Sequence, residues 1–217
     1  MSEVAALLGV HRIVAGPLAE NTYVVSGPGG DAIVIDPGGG FQQIAAHVEA
    51  NDLTVHAVVN THAHEDHLGA AMPVVEAYGA PFHLHPADRD LLQRANFYRT
   101  LIARREPISI PPIDVPLADL ASLDFGALRV IVLHTPGHTP GGVCLEIAGE
   151  LFTGDTLMAL STGRTDLPGG DRETLEASVD RVRRRYPPET RLHPGHGEPA
   201  SLGDVLARFP TLPEARG

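Results

Sequence analysis

The chain predicts an α/β fold in which strands and helices alternate through two similar halves. Short apolar runs of strand length recur from Asn21 to His193. Segments with apolar residues at helical spacing separate them. Four of the runs end in turns rich in His, Asp and Gly, the junctions at which a rigid sheet hands functional groups to a loop.

Each element has its own justification. Strands are read over 21–26 and 32–35, with Gly27-Pro28-Gly29-Gly30-Asp31 as the hairpin turn between them and Asp36-Pro37-Gly38-Gly39 ending the second. Phe41, Ile44, Ala45 and Val48 mark a helix over 41–49. A strand over 55–60 precedes a helix over 68–78 that Gly79 closes. A short strand over 81–85 leads into a helix over 86–104, with Leu91, Leu92, Ala95, Tyr98 and Ile102 on one face. The Pro-rich stretch 107–116 reads as a loop, either a border of a substrate entrance or a surface connector. Strands follow at 128–133, 143–147 and 150–153, the last two joined by Ala148-Gly149 as a hairpin. A helix over 174–186 ends in Arg183, Arg184 and Arg185, cations that complement a helix C-terminus. The last strand ends at His193, and a short helix is expected over 202–209.

The chemistry concentrates where these strands end. The apolar run Val55 to Val59 leads into Thr61-His62-Ala63-His64-Glu65-Asp66-His67. Burying three imidazoles and a carboxylate for structure alone carries a desolvation cost with no return, whereas a metal ion repays it. Three later segments repeat the design: Thr135-Pro136-Gly137-His138, Thr153-Gly154-Asp155 and His193-Pro194-Gly195-His196. Small residues beside each candidate let the backbone come close to a metal. His62, His64, Asp66, His67, His138, Asp155 and His196 are enough for two adjacent divalent ions sharing a carboxylate. Imidazole and carboxylate suit zinc, iron or manganese. His134 and His193 are expected to support the site or the core rather than to ligate, His83 and His85 lie in a short strand and match no motif, and His11, His47 and His56 are read as ordinary surface or partly buried residues.

Composition narrows the class. A net charge of -11 without a basic run argues against nucleic acid as a partner. Cys144 is the lone cysteine, so a disulfide scaffold and a Cys-rich zinc site are both excluded, and a reducing compartment fits. Met1-Ser2-Glu3 has no positive charge, and the apolar stretch from Val4 to Val10 is too short for a signal peptide or a membrane helix. The expectation is a cytoplasmic protein with a small-molecule substrate and neither nucleic acid nor membrane as partner.

From about Gly16-Pro17-Leu18 to His196, the order and spacing of these segments resemble the metallo-β-lactamase superfamily, and within it the short glyoxalase II-like (hydroxyacylglutathione hydrolase-like) proteins. The resemblance implies a four-layer αββα sandwich over 1–217 as a single domain, with the metals at one edge between the sheets. It also implies that the C-terminal helical domain of full-length glyoxalase II is missing, since only about twenty residues follow His196. It implies two divalent ions, zinc first and iron or manganese next: one on His62, His64 and His138, one on Asp66, His67 and His196, with Asp155 bridging. It implies hydrolysis of an acyl-thiol substrate, a thioester, by a metal-bound hydroxide. Asp66 would orient the water or take its proton. Arg164 falls where glyoxalase II enzymes place a basic residue for the carboxylate of glutathione; the alternative is a loop-ordering salt bridge with Asp166 or Asp171. Competing readings on the same scaffold are a persulfide dioxygenase with one iron on His62, His138 and Asp155, and a lactonase or β-lactamase.

Overall fold

The computed structural model describes residues 8–208. The first sheet contains β1 (Gly9–Ala15), β2 (Glu20–Ser26), β3 (Asp31–Ile35), β4 (Thr54–Val59), β5 (Phe82–Leu84) and β6 (Val115–Pro116), side by side in that order. Helices α1 (Phe41–Ala50), α2 (Ala71–Tyr78) and α3 (Arg89–Phe97) connect β3 to β4, β4 to β5 and β5 to β6. These three pairs are parallel, a geometry that requires such crossovers. The second sheet runs in order through β7 (Ser122–Phe125), β8 (Leu128–His134), β9 (Val143–Ile147), β10 (Glu150–Gly154), β11 (Arg191–Pro194) and β12 (Ala200–Ser201). α4 (Arg172–Arg185) carries the chain from β10 to its parallel neighbour β11, and α5 (Leu202–Arg208) follows β12.

Period-two alternation sorts the side chains into three cores. Between the sheets, Val25, Ile33, Ile35 and Val59 meet Val130, Val132, Leu145 and Phe152. On the far side of the first sheet, Val24, Val34 and Val58 pack against Ile44, Val48, Val74 and Leu92 of the helices. On the far side of the second, Leu133, Cys144 and Leu151 pack against Val179, Val182 and Val205. Strands buried on both faces read as continuous apolar runs, as these do. The layering is αββα, as expected. Phe152 is fully buried, edge-on to Tyr23 and stacked on His193. Phe152→Ala is expected to cost about 3–5 kcal/mol, read as a lower urea midpoint at unchanged slope.

Several expectations need correction. β1, β7 and β12 were not anticipated; they lie at sheet edges or are two residues long, and their burial alternates or is partial. The helix expected over 86–104 is three pieces: a 3-10 turn at Pro86–Asp88, α3, and one π turn at Tyr98–Ile102. The wider turn rotates Ile102 off the buried face, leaving it exposed while Leu91, Leu92 and Ala95 stay buried. Stretch 107–116 is a connector, not a border of the cleft: Ile108, Ile110 and Ile113 pack on the helical core, and Val115–Pro116 form β6. The helix expected from Leu68 starts at Ala71, with Pro73 in its first turn, where its missing N–H costs nothing. Arg183 and Arg184 pair with Asp180, in addition to their place at the end of α4. Met1, Ser2, Glu3 and most of the first apolar stretch, together with Phe209, Pro210 and Pro213, fall outside the described residues. Among the described residues no helix is long and apolar enough to cross a membrane.

Candidate metal centre

All seven candidates lie just beyond the C-terminal ends of strands: His62, His64, Asp66 and His67 after β4, His138 after β8, Asp155 after β10 and His196 after β11. The fold brings them together. His64 Nδ1 and His138 Nε2 are 2.8 Å apart, and His62, His64 and His138 present ligand atoms within 4.8 Å of one another. Asp66, His67 and His196 form a second such group, with His196 Nε2 3.2 Å from Asp66 Oδ2 and 3.4 Å from His67 Nε2. Asp155 faces both: Oδ2 is 3.6 Å from His138 Nε2 and from His196 Nε2, and Oδ1 is 3.6 Å from His67 Nε2. Close approach of backbones permits this. A side chain at Gly195 would run into Asp155 and His67, and one at Gly163 into the His138 ring.

The outward nitrogens of the rings are anchored, so their orientation is fixed. His138 Nδ1 donates to the Arg164 carbonyl at 2.8 Å, and His196 Nδ1 to the Leu18 carbonyl at 3.2 Å. Thr61 Oγ1 donates to Asp36 Oδ2 at 2.6 Å, leaving it to accept from His62 Nδ1 at 3.0 Å. Asp36 Oδ2 also faces His67 Nδ1 at 3.3 Å. With one nitrogen held as a donor, the other keeps its lone pair for the interior, the arrangement metal-bound imidazoles require. Asp36, with His62 and His67, makes a third cluster of metal-competent residues, but its oxygens are already occupied by the Thr61 N–H and hydroxyl. It is therefore an orienting group. The buried Asp36 sits at φ +48°, a left-handed conformation that a non-glycine residue adopts only under strong surrounding constraint. The sequence reading used it only as a turn residue.

Electrostatics show what the residues fit. Burial drives His62 well below the ordinary imidazole range and, helped by His138, brings His64 down to about 3. Burial also opposes a charged His67, but Asp66, Asp36 and Asp155 outweigh it and push that ring up to about 10. His196 is raised against its own burial by Asp66 and Asp155, and Asp66 is held below the carboxylate range by His67 and His196 despite burial. The second group thus draws positive charge to itself, while His62 and His64 keep neutral nitrogen lone pairs. His62 Nε2 and Asp155 Oδ1 are buried without a hydrogen-bond partner. Orphaned acceptors beside unprotonated rings and clustered carboxylates are a donor set that fits divalent cations.

Two further residues, Asp88 and Glu65, brace the centre, and neither was anticipated. Fully buried Asp88 accepts from the Ala63 N–H at 3.0 Å, the Thr139 hydroxyl at 2.8 Å and the Gly141 N–H. It joins the His62–His64 loop to the His138 loop. Glu65 takes Arg99 and Arg105 at 2.6 and 2.9 Å, tying the π turn to the ligand loop. Neither His134 nor His193 enters the centre. His134 Nε2 meets the Pro140 carbonyl and its ring stacks on His85, while His193 pairs with Glu150. A cleft of about 1330 Å³ opens over His64, Asp66, His138, Asp155 and His196. Arg164 lines it, with its guanidinium forked onto Asp166 at 2.6 and 2.8 Å.

Residues 15–196 match the family described as the metallo-beta-lactamase superfamily. The chain belongs to it, a family of metal-dependent hydrolases. The fold is similar to the crystal structure of the BLEG-1 B3 metallo-beta-lactamase, with a TM-score of 0.86 and 34% identity over 92% of this chain and 97% of that one. It is similar to TTHA1623 in a di-iron-bound form, with a TM-score of 0.81 and 41% identity over 91% of this chain and 97% of that one. In sequence it is 31% identical to the hydroxyacylglutathione hydrolase GloC of Haemophilus influenzae, over 84% of this chain and 87% of that protein.

Proposed function

We propose that this protein hydrolyses thioesters with two divalent metal ions, in the manner of a short glyoxalase II. The observation that carries the reading is Asp155, one carboxylate facing two complete ligand groups on the floor of one cleft. His62, His64 and His138 would hold one ion; Asp66, His67 and His196 the other; Asp155 would join them. The all-nitrogen and oxygen donor set suits zinc, and the di-iron form of a protein 41% identical supports iron as the alternative. Ions in such a pair supply a Lewis acid and bring a water's pKa towards neutrality.

The chain's own residues supply orientation and proton handling. Asp66 lines the cleft with its carboxylate on His196, where it can align the attacking water and accept its proton. The anchors on His62, His138 and His196 keep those rings from turning as charge develops. A thiolate leaves without acid assistance, so this floor needs no separate acid. A glutathione carboxylate approaching Arg164 would meet a guanidinium already forked onto Asp166.

Elemental analysis of protein purified without added metal tests the reading. Close to two ions per chain, with release of free thiol from a thioester panel, is the expected result. A single iron per chain, with oxygen uptake on glutathione persulfide and no thiol release from thioesters, would overturn it in favour of a dioxygenase.

A further inference from the structure

We propose that the cleft selects a thioester by an apolar acyl chain rather than by the charge of its carrier thiol; this rests on the hydrolase reading above. The cleft is larger than the 300–1,000 Å³ typical of small-molecule pockets, so it has room for an acyl chain as well as a carrier. Beyond the metal-binding floor its walls are mainly apolar. Leu91, Tyr98 and Ile102 come from α3 and the π turn, and Met158, Leu160 and Leu167 from the segment that follows Asp155. Ile102 is 70% exposed and Leu160 63%, large side chains left in water at the mouth of the site. The π turn puts Ile102 there, and Glu65 holds that turn through Arg99 and Arg105.

The charges of the cleft point the same way. Its two arginines are each matched to a carboxylate, Arg105 to Glu65 and Arg164 to Asp166. Asp204 adds negative charge on the side of His196, where Glu198 is itself paired with Arg12 at 2.7 and 2.8 Å. An anionic carrier would meet arginines that already hold carboxylates, and would pass Asp204. An alkyl chain would cover Ile102 and Leu160 without displacing anything. In the reaction water adds across the acyl bond: a C–O bond forms, the C–S bond breaks, and the products are a carboxylic acid and a thiol. The chain stays on the acid, so its binding energy acts at the carbon under attack.

The test uses metal-loaded protein and N-acetylcysteamine thioesters from acetyl to octanoyl, with a hydroxyacylglutathione as the polar, anionic comparison. The value of kcat/KM is expected to rise about threefold per added methylene, on the order of 10³-fold over the six methylenes of the series, and to exceed that for the glutathione thioester at the long end. Ile102→Asp and Leu160→Asp, both at exposed positions, are expected to flatten the series, with a loss that grows with chain length. A flat series with a faster glutathione thioester would overturn the proposal and leave the hydrolase reading standing. So would a slope that survives both substitutions while Ile102→Asp dissociates a dimer in sedimentation, which would make the wall an interface between copies. No hydrolysis of any thioester by a chain carrying two ions would remove both readings.

Discussion

Asp155→Ala is expected to bind at least one metal ion fewer per chain and to lower kcat/KM for a thioester by about 10³-fold or more. The size follows from position. Among the described residues Asp155 is the one carboxylate within 3.6 Å of ring nitrogens from both groups, so on the two-ion reading its loss would remove a ligand from each site at once. Lewis-acid stabilisation is worth several kcal/mol, and each 1.36 kcal/mol is a decade in rate. Asp155→Asn keeps the shape but not the charge, and should retain more metal than Ala while staying slow. Metal per chain by elemental analysis and thiol release at saturating metal check both variants. Two tightly held ions and an unimpaired rate in Asp155→Ala would remove the bridge from the mechanism and, with it, the reason for treating the two groups as one centre.

The parts of the fold that were legible are those buried on both sides. β3, β4, β9 and β10 sit inside the sandwich, so Ile33, Val34 and Ile35 or Val143, Cys144 and Leu145 are all apolar and announce a strand. β1 has one buried residue, Ile13, and β6 includes Pro116, so composition there carries little pattern. The π turn was illegible for a different reason. Tyr98 and Ile102 keep helical spacing in sequence, and the departure from it accompanies the pull of Glu65, more than thirty positions away, on Arg99 and Arg105.

Legibility of the site follows the same logic. Four histidine and aspartate positions within six residues of one loop cannot be mistaken for ordinary surface, and single His or Asp residues after Gly-rich strand ends extend the pattern. Asp36 follows that rule too, at the end of β3 beside Pro37 and Gly38, and strand-end position was the signal available for it. Asp88 offered none. It is one acid at the start of a helical segment that already contains Asp90, and its significance appears only in contacts to residues 25 to 53 positions distant.

That arrangement makes Asp88→Ala the second large effect. The carboxylate satisfies two buried backbone N–H groups and a buried hydroxyl, and burial raises its pKa against the pull of those same hydrogen bonds. Truncation leaves all three donors unpaired at about 1–3 kcal/mol for each such group, a loss of roughly 3–5 kcal/mol allowing for relaxation. Ala63 separates His62 from His64, and Thr139 adjoins His138, so the loosened pairing also frees the three nitrogens of one group relative to each other. Metal affinity at that group is expected to fall about 10–100-fold, as when an outer partner of a ligand is removed. The group of Asp66, His67 and His196 lies on other contacts and should weaken less. Asp88→Asn separates positioning from bulk stability, since it fills the same volume but turns an NH2 towards groups that are themselves donors. Chelator competition at each site, read beside the urea midpoint, distinguishes the cases. Selective loss at the His62, His64 and His138 group in Asn as well as Ala marks Asp88 as the clamp between the two ligand loops. Equal weakening at both sites, in step with the midpoint, would reduce it to a general stabiliser of the fold.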